Sequence, residues 1–459
     1  MATNTKGFKI SKTQQGQELS KYTGKATDIE IPDNVEIIGH NAFGNNTDII
    51  SVKIPSSVKK IGFNAFQKCT NLESVELTEG LEKIESWAFY GCSSLKEIII
   101  PGSVKSIASK AFSGCEKLSK FVLNHEVQLD DSFIDECNSL PAVDGFVMIQ
   151  DHLVKYVSHD SEVKVPDSIK VIGERSFYEN KEIKTVSLPD SVVKICNNAF
   201  YNCSNLESIE IPSGVESIGH WVFYGCSKLS SVALPPGINA VASYMFEGCS
   251  ALKSIEIPSN VTYIGYSAFE RCTGLEHVKL PENLKEIESS AFCRCSGLKE
   301  IKIPSGVVKI GEYAFEDCTG LEKIDLPNNI QQLEKGAFEN TKWQKDQKDD
   351  CILNHYLIDY KENLQTVEIP QEVESIAEGV FQGDYHIETM IIPPNVKRIM
   401  SYAFDSCYTL KTVELHHLAD IKEHNFTGCG QLDASTFDEK TLMCFYLSTE
   451  KNKTANECR

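Results

Sequence analysis

Nowhere in the 459 residues does an apolar run approach the roughly 20 residues needed to cross a bilayer as a helix. Membrane insertion is therefore not expected. Basic residues are outnumbered: 45 lysines and arginines stand against 65 aspartates and glutamates, a net charge of −20. That sign does not supply the basic surface that phosphate-backbone binding needs, so nucleic acid is not expected as a partner. The opening stretch, MATNTKGFKISKTQQGQELS, lacks the apolar core of a signal peptide. As written, the chain reads as cytoplasmic. The G-x-S-x-G, H-E-x-x-H, phosphate-loop and G-x-G-x-x-G signatures are missing too. An enzyme is not expected, and no catalytic, cofactor-binding or metal-binding residue is nominated.

What the sequence has is repetition. Phe200, Phe223, Phe246, Phe269, Phe292, Phe315 and Phe338 follow one another at 23-residue intervals. The phrase around them reads P-x2-V-x2-I-G-x2-A-F-x2-C-x2-L-x2-I-x-I. IPSGVESIGHWVFYGCSKLSSVAL from Ile211 and IPSNVTYIGYSAFERCTGLEHVKL from Ile257 are two copies. A fixed period of this length marks a solenoid, in which each unit buries its apolar face only against its neighbours. The L-x2-I-x-I segment, such as Leu206, Ile209 and Ile211, alternates like a strand. The proline after it, such as Pro212, has no N–H for a ladder and punctuates that strand. Stacked copies would form a parallel sheet. Phenylalanine would fill the interior, with a small alanine before it. Gly62, Gly219, Gly265 and Gly311 are expected to supply a tight bend.

A second element returns three times. ELSKYTGKATDIEIP, LVKYVSHDSEVKVP and LIDYKENLQTVEIP place Tyr22, Tyr156 and Tyr360 at one distance from Pro32, Pro166 and Pro370. The same three stretches keep one distance to Phe43, Phe177 and Phe381. Short apolar runs around Gln150-Asp151 and Asn354-His355 predict β-hairpins there. Each hairpin opens a block of repeats: 1–140, 141–345 and 346–435, with 436–459 as a cap or tail, all in one continuous solenoid. The stretch 437–454 has the look of a further hairpin.

The IP…V…IG…AF…C…L order, as in Ile54-Pro55, Ala65-Phe66, Cys69 and Leu72, resembles the BspA-like, treponemal-type leucine-rich repeats over about residues 28–432. The resemblance implies the α/β class: a right-handed leucine-rich-repeat solenoid with its parallel sheet on the concave face and hairpin-bearing inserted units. It also implies protein binding, by a cell-surface or secreted adhesin holding a host, matrix or self protein. An intracellular interaction scaffold is the alternative. A monomer is expected.

Eleven cysteines share one column, among them Cys69, Cys92, Cys249 and Cys272. Free cysteine packs as a small buried hydrophobe, and that is the expected role, with disulfides or metal as the alternative. Cys293 and Cys295 form a lone C-x-C without a second pair, and His416-His417 has no ligand at matched spacing. Trp87, Trp221, Tyr244, Tyr266, Tyr313 and Tyr402 lie just before the Ala-Phe pair and are expected to seal the convex edge. The candidate binding residues are those flanking each strand's central apolar residue. Ile99 and Val122, apolar where their neighbours are polar, form one patch with Glu97 and Lys120. Lys279 and Lys302, with His277 and Glu300, form another, suited to an acidic partner.

Overall fold

In the computed structural model each 23-residue phrase makes one coil with two short strands and a turn. The structure describes residues 7–433, apart from 131, 362–363, 416–419 and 423. The hairpin expected at 437–454 and the His416-His417 pair fall outside the described residues. The coils group into two compact units. One comprises Met1–Asp160, Val165–Tyr178 and Pro189–Phe200; the other comprises Ser161–Lys164, Glu179–Leu188 and Tyr201–Arg459.

In the first unit the L-x2-I-x-I segments give a wide parallel sheet of five strands: Asp28–Glu30, Ser51–Ile54, Ser74–Leu77, Glu97–Ile100 and Lys120–Leu123. Each residue faces its equivalent one period on, Val52 opposite Val75 and Ile98 opposite Phe121. The V-x2-I-G segments form a second, narrow parallel sheet of two-residue strands from Ile37–Ile38 to Gln128–Leu129. Alternation does the sorting: in the strand Glu97–Ile100 the burial runs exposed, buried, exposed, buried. Among the described residues one helix occurs, Lys342–Asp346, started by the Thr341 hydroxyl accepting from the Gln344 N–H at 3.2 Å.

The turn carries the core. Phe43, Phe66, Phe89 and Phe112 are buried and stack nearly parallel, with centroids 4.7, 5.1 and 5.2 Å apart. In the second unit Phe223 through Phe338 continue the pattern at 5.1 to 5.4 Å. The backbone is bonded between coils as well, Phe66 N–H to Ala88 O at 2.7 Å and Lys68 N–H to Tyr90 O at 2.7 Å. Left-handed residues two before and two after the phenylalanine aim those groups along the stack. Trp87 (φ 64°) and Lys68 (φ 54°) are examples. A non-glycine left-handed residue costs roughly 1–2 kcal/mol, which the inter-coil hydrogen bonds offset.

The I-G glycines open the turn, the Gly62, Gly265 and Gly311 carbonyls accepting from the Ala65, Ala268 and Ala314 N–H groups at 3.1, 3.2 and 3.2 Å, but none of the three is left-handed. They are places of close approach. A Cβ would stand 2.8 Å from the Ile38 carbonyl at Gly62, 2.6 Å from the Ser243 nitrogen at Gly265 and 2.4 Å from the Ser289 nitrogen at Gly311.

All three expected hairpins are present: Phe8–Thr13 with Gly16–Tyr22, Phe146–Ile149 with His152–Tyr156, and Cys351–Leu353 with Tyr356–Asp359. The third turns on Asn354 and His355, both left-handed at φ 46° and 69°, as a two-residue hairpin loop requires. In each hairpin the second strand joins the narrow sheet in parallel, opposite Ile37–Ile38, Val171–Ile172 and Ser375–Ile376. The first strand is left at the sheet's edge, so every hairpin begins a new narrow sheet.

Candidate functional site

The wide sheet places the candidate residues. Glu97 and Lys120 are register partners and form an ion pair at 3.1 Å. Ile99 lies opposite Val122; Ile99 is 44% exposed and Val122 half-buried. These four therefore make one patch, apolar on one strand column and charged on the other. Glu97 and Ile99 also line a hollow of about 830 Å3, together with Asp28, Glu30, Lys53 and Glu76.

Asp28, Glu30 and Lys53 were absent from the nominated set. The signal for them was in the sequence, since the same strand count run back from Ser74 through Val52 and Ile29 reaches them. Lys53 pairs with Glu76 at 4.0 Å. The Asp28 carboxylate accepts from the Ser51 hydroxyl at 2.5 Å and the Thr27 hydroxyl at 3.0 Å. Those two hydrogen bonds, Ser51's first, hold its carboxyl below the usual range.

The other four candidates lie in the second unit, whose wide sheet is broken. His277–Lys279 pairs with Ser254–Glu256, and Glu300–Lys302 pairs with Lys323–Asp325, but these are separate two-stranded sheets. Near Ser231 the ladder shrinks to a single bridge with Ser208. Coils ending in Leu-Pro (Leu234-Pro235, Leu280-Pro281) precede both breaks, whereas those ending in Ile-Pro (Ile257-Pro258, Ile303-Pro304) keep their pairing. The first Leu-Pro coil, at Leu188-Pro189, keeps its pairing too. A γ-branched leucine fits the pleated strand less well than a β-branched isoleucine. The central residues Val232 and Val278 are half-buried, where Ile255 and Ile301 are buried. Lys279 is neutralised by Glu256 at 2.5 Å, and Lys302 faces Asp325 in register. All of His277, Lys279, Glu300 and Lys302 are exposed.

The cysteine column has a role beyond packing. Down the column buried thiols donate to the carbonyl of the phenylalanine one coil back: Cys92 to Phe66 at 3.2 Å, Cys272 to Phe246 at 3.1 Å, Cys318 to Phe292 at 3.1 Å. The donor was not legible in the spacing, because the partner stands one period away. Burial pushes the Cys69 and Cys203 thiols up to about 12. None of the 15 described cysteines is in a disulfide. Among the described residues no group of three His, Cys, Asp or Glu side chains is placed to hold a metal ion, and no helix is long and apolar enough to cross a membrane.

The aromatic stripe is partly joined. Trp221 stacks on Tyr244 with centroids 5.1 Å apart, while Tyr266 remains 45% exposed.

A family model described as the BspA type leucine rich repeat region matches in six copies, over residues 15–141, 148–273, 239–347 and 352–448. No curated protein matches. Among solved structures, a leucine-rich repeat protein from Bacteroides ovatus is 24% identical, with 90% of this chain and 97% of that one covered and a TM-score of 0.40. One from Eubacterium ventriosum is 21% identical, covering 71% and 88%, at 0.45. A leucine rich cell surface protein from Faecalibacterium prausnitzii is 20% identical, covering 91% and 95%, at 0.32.

Proposed function

The chain belongs to the BspA-type leucine-rich-repeat family, and on that premise we propose that it is a non-enzymatic protein-binding module that acts through its wide sheet. One observation carries the choice of face. In the first unit the patch of Glu97, Ile99, Lys120 and Val122 leaves a large aliphatic side chain exposed on a continuous five-stranded sheet, four register pairs joining Glu97–Ile100 to Lys120–Leu123 and one, Ser74 with Glu97, joining it to Ser74–Leu77. An anchor of this kind loses little conformational freedom on binding, so most of its apolar burial appears as affinity. In the second unit His277, Lys279, Glu300 and Lys302 are the secondary candidates, with Lys302 carrying the less compensated charge.

The finer reading is an adhesin-like module at a cell surface or in secretion, with a host, matrix or self protein as ligand. It rests on the family resemblance. The alternative, an intracellular scaffold, is favoured by the buried, unbridged thiols, since reduced cysteines are the rule in reducing compartments. A membrane-impermeant label on intact source cells separates the two. Labelling favours the surface module; labelling only after lysis removes it.

The choice of face is tested with a photo-cross-linking residue at Ile99 and, as control, at Lys83 on the narrow sheet. Cross-linking to a protein partner from Ile99 and not from Lys83 is expected. The reverse pattern would contradict the reading.

A further inference from the structure

Resting on the reading that the wide sheet is the binding face, we propose that the first unit's wide sheet takes an extended cationic peptide segment. The segment would place a basic side chain at Asp28 and Glu30. An apolar side chain about four to six residues along it would rest on Ile99 and Val122.

The charge pattern on the face picks the sign of the partner. Along this sheet lysine and glutamate pair from coil to coil, Lys53 with Glu76 at 4.0 Å and Lys120 with Glu97 at 3.1 Å. Among the described residues Asp28 and Glu30 have no cation within ion-pair distance. Both are exposed at the same end of the hollow. Asp28 is held in place and ionised by the Ser51 and Thr27 hydroxyls, so its charge is preorganised for a cation. At the other end the exposed Ile99 and half-buried Val122 offer apolar area and no charge.

Geometry sets the spacing. Adjacent strands lie about 4.8 Å apart, so three steps carry the face from Asp28–Glu30 to Ile99 over roughly 14 Å, and a fourth reaches Val122 at roughly 19 Å. An extended chain rising about 3.3 Å per residue covers this in four to six residues. The inner strands already use their backbone groups in the ladder, from Asp28↔Ser51 through Lys120↔Glu97. Only the edge strands Asp28–Glu30 and Lys120–Leu123 have an open side, so a ligand that reaches from Asp28 to Ile99 lies across the sheet and is read by side chains. A second copy of this chain is a poor occupant, because each carries a net charge of −20.

The probe is a fluorescein-labelled peptide RKSTSVI, titrated by anisotropy against the full chain. The control is EDSTSVI. Asp28→Asn combined with Glu30→Gln should weaken RKSTSVI binding about tenfold, and Ile99→Ser about fivefold. Glu368→Gln, on another wide sheet, should leave it unchanged. Raising the salt should erode binding to the wild type and not to the double variant. These variants sit on exposed side chains, and an unchanged melting temperature confirms that the fold is intact.

Equal binding to wild type and double variant, equal binding of EDSTSVI, or no binding of RKSTSVI overturns the proposal. The cross-linking result keeps its failure distinct from failure of the wide-face reading. A partner captured from Ile99 through a neutral or acidic segment sinks the cationic inference alone. Capture from Lys83 and not Ile99 sinks both.

Discussion

The first hairpin and the second share a backbone and differ in what they show to the outside. Both put a bulge after the second residue of the outer strand, between Lys9 and Ile10 and between Val147 and Met148. Both send an entirely buried leucine inward, Leu19 and Leu153. On the other side they part. The second hairpin has Val147, Ile149, His152 and Val154, all buried. The first has Lys9, Ser11 and Ser20, all exposed, and a half-buried Glu18.

The reason lies next to the second hairpin. The His152 ring meets Phe133 edge-on at 5.9 Å, Gln150 donates to the His125 carbonyl at 3.2 Å, and Lys110 reaches Glu174 at 2.8 Å. Val147, Ile149 and Val154 join the same apolar cluster as Phe133 and the coils before it. The third hairpin follows the second. Cys351, Leu353 and Tyr356 are buried, and the Tyr356 hydroxyl accepts from the Ile330 N–H at 3.0 Å. The same motif thus shows a polar, exposed outer face in the first hairpin and an apolar, covered one, a joint with the preceding coil, in the second and third.

Breaking the joint should give the largest effect. Val147→Asp or Ile149→Asp buries an unpaired carboxylate and should cost about 3–5 kcal/mol, read as the urea midpoint of the first unit. Ser11→Asp at the equivalent position of the first hairpin should stay within about 0.5 kcal/mol. Equal effects would erase the distinction.

The coils on either side of a joint are held partly by their thiols, and alkali tests that. Cys69 and Cys203 ordinarily ionise near 9 but are pushed up to about 12 by burial. The raised folded value means the thiol contribution is complete below pH 9 and is lost as pH rises through 12. Urea midpoints should therefore fall steeply between these limits. At neutral pH a thiol reagent such as DTNB should leave the Phe-bonded column unreacted until the chain unfolds. Rapid reaction of the native column would contradict the bonding.

The third hairpin's joint should respond to pH. Burial, then the neighbouring Glu334 and Glu312, push Glu378 up to about 7, against the opposing Lys309 and Lys335. Its N–H donates to the Leu333 carbonyl at 3.1 Å, across the joint. The folded value is raised, so its stabilisation is complete below about 4.5 and is lost as pH rises through about 7. The melting temperature of the third block should rise on acidification across that window, and Glu378→Gln should flatten the dependence.

The smallest effect should come from making the first hairpin's outer face look like a joint. Lys9→Val with Ser20→Val should change stability by less than about 0.5 kcal/mol but promote concentration-dependent association in sedimentation. An unchanged monomer would mean that polarity is not what keeps this face free.

The sequence carried the fold through periodicity, because every coil repeats the same burial demand. Phe66 and Phe89 could be placed in a core from their spacing alone. The hairpins were legible from Tyr22, Tyr156 and Tyr360 for the same reason. Two things were not. The turn at Gly62 was legible but the reason for glycine was not, because the Ile38 carbonyl that crowds it belongs to the previous coil. The breaks in the second unit's wide sheet follow the coils ending in Leu234-Pro235 and Leu280-Pro281, but Leu188-Pro189 keeps its pairing, so nothing in the repeat phrase marks them. The shared face of Glu97, Ile99, Lys120 and Val122 was legible because strand alternation fixes which side faces outward. Asp28 and Glu30 were equally legible, since the same alternation carried back to Ile29 places them on the outward side.

The most direct test of this contrast between hairpins is amide hydrogen exchange on the intact chain. Phe146–Ile149 and His152–Tyr156 should open with the same free energy as the strands Ser51–Ile54 through Glu97–Ile100, whereas Phe8–Thr13 should exchange faster by local fraying. Equal protection of the first and second hairpins would contradict it.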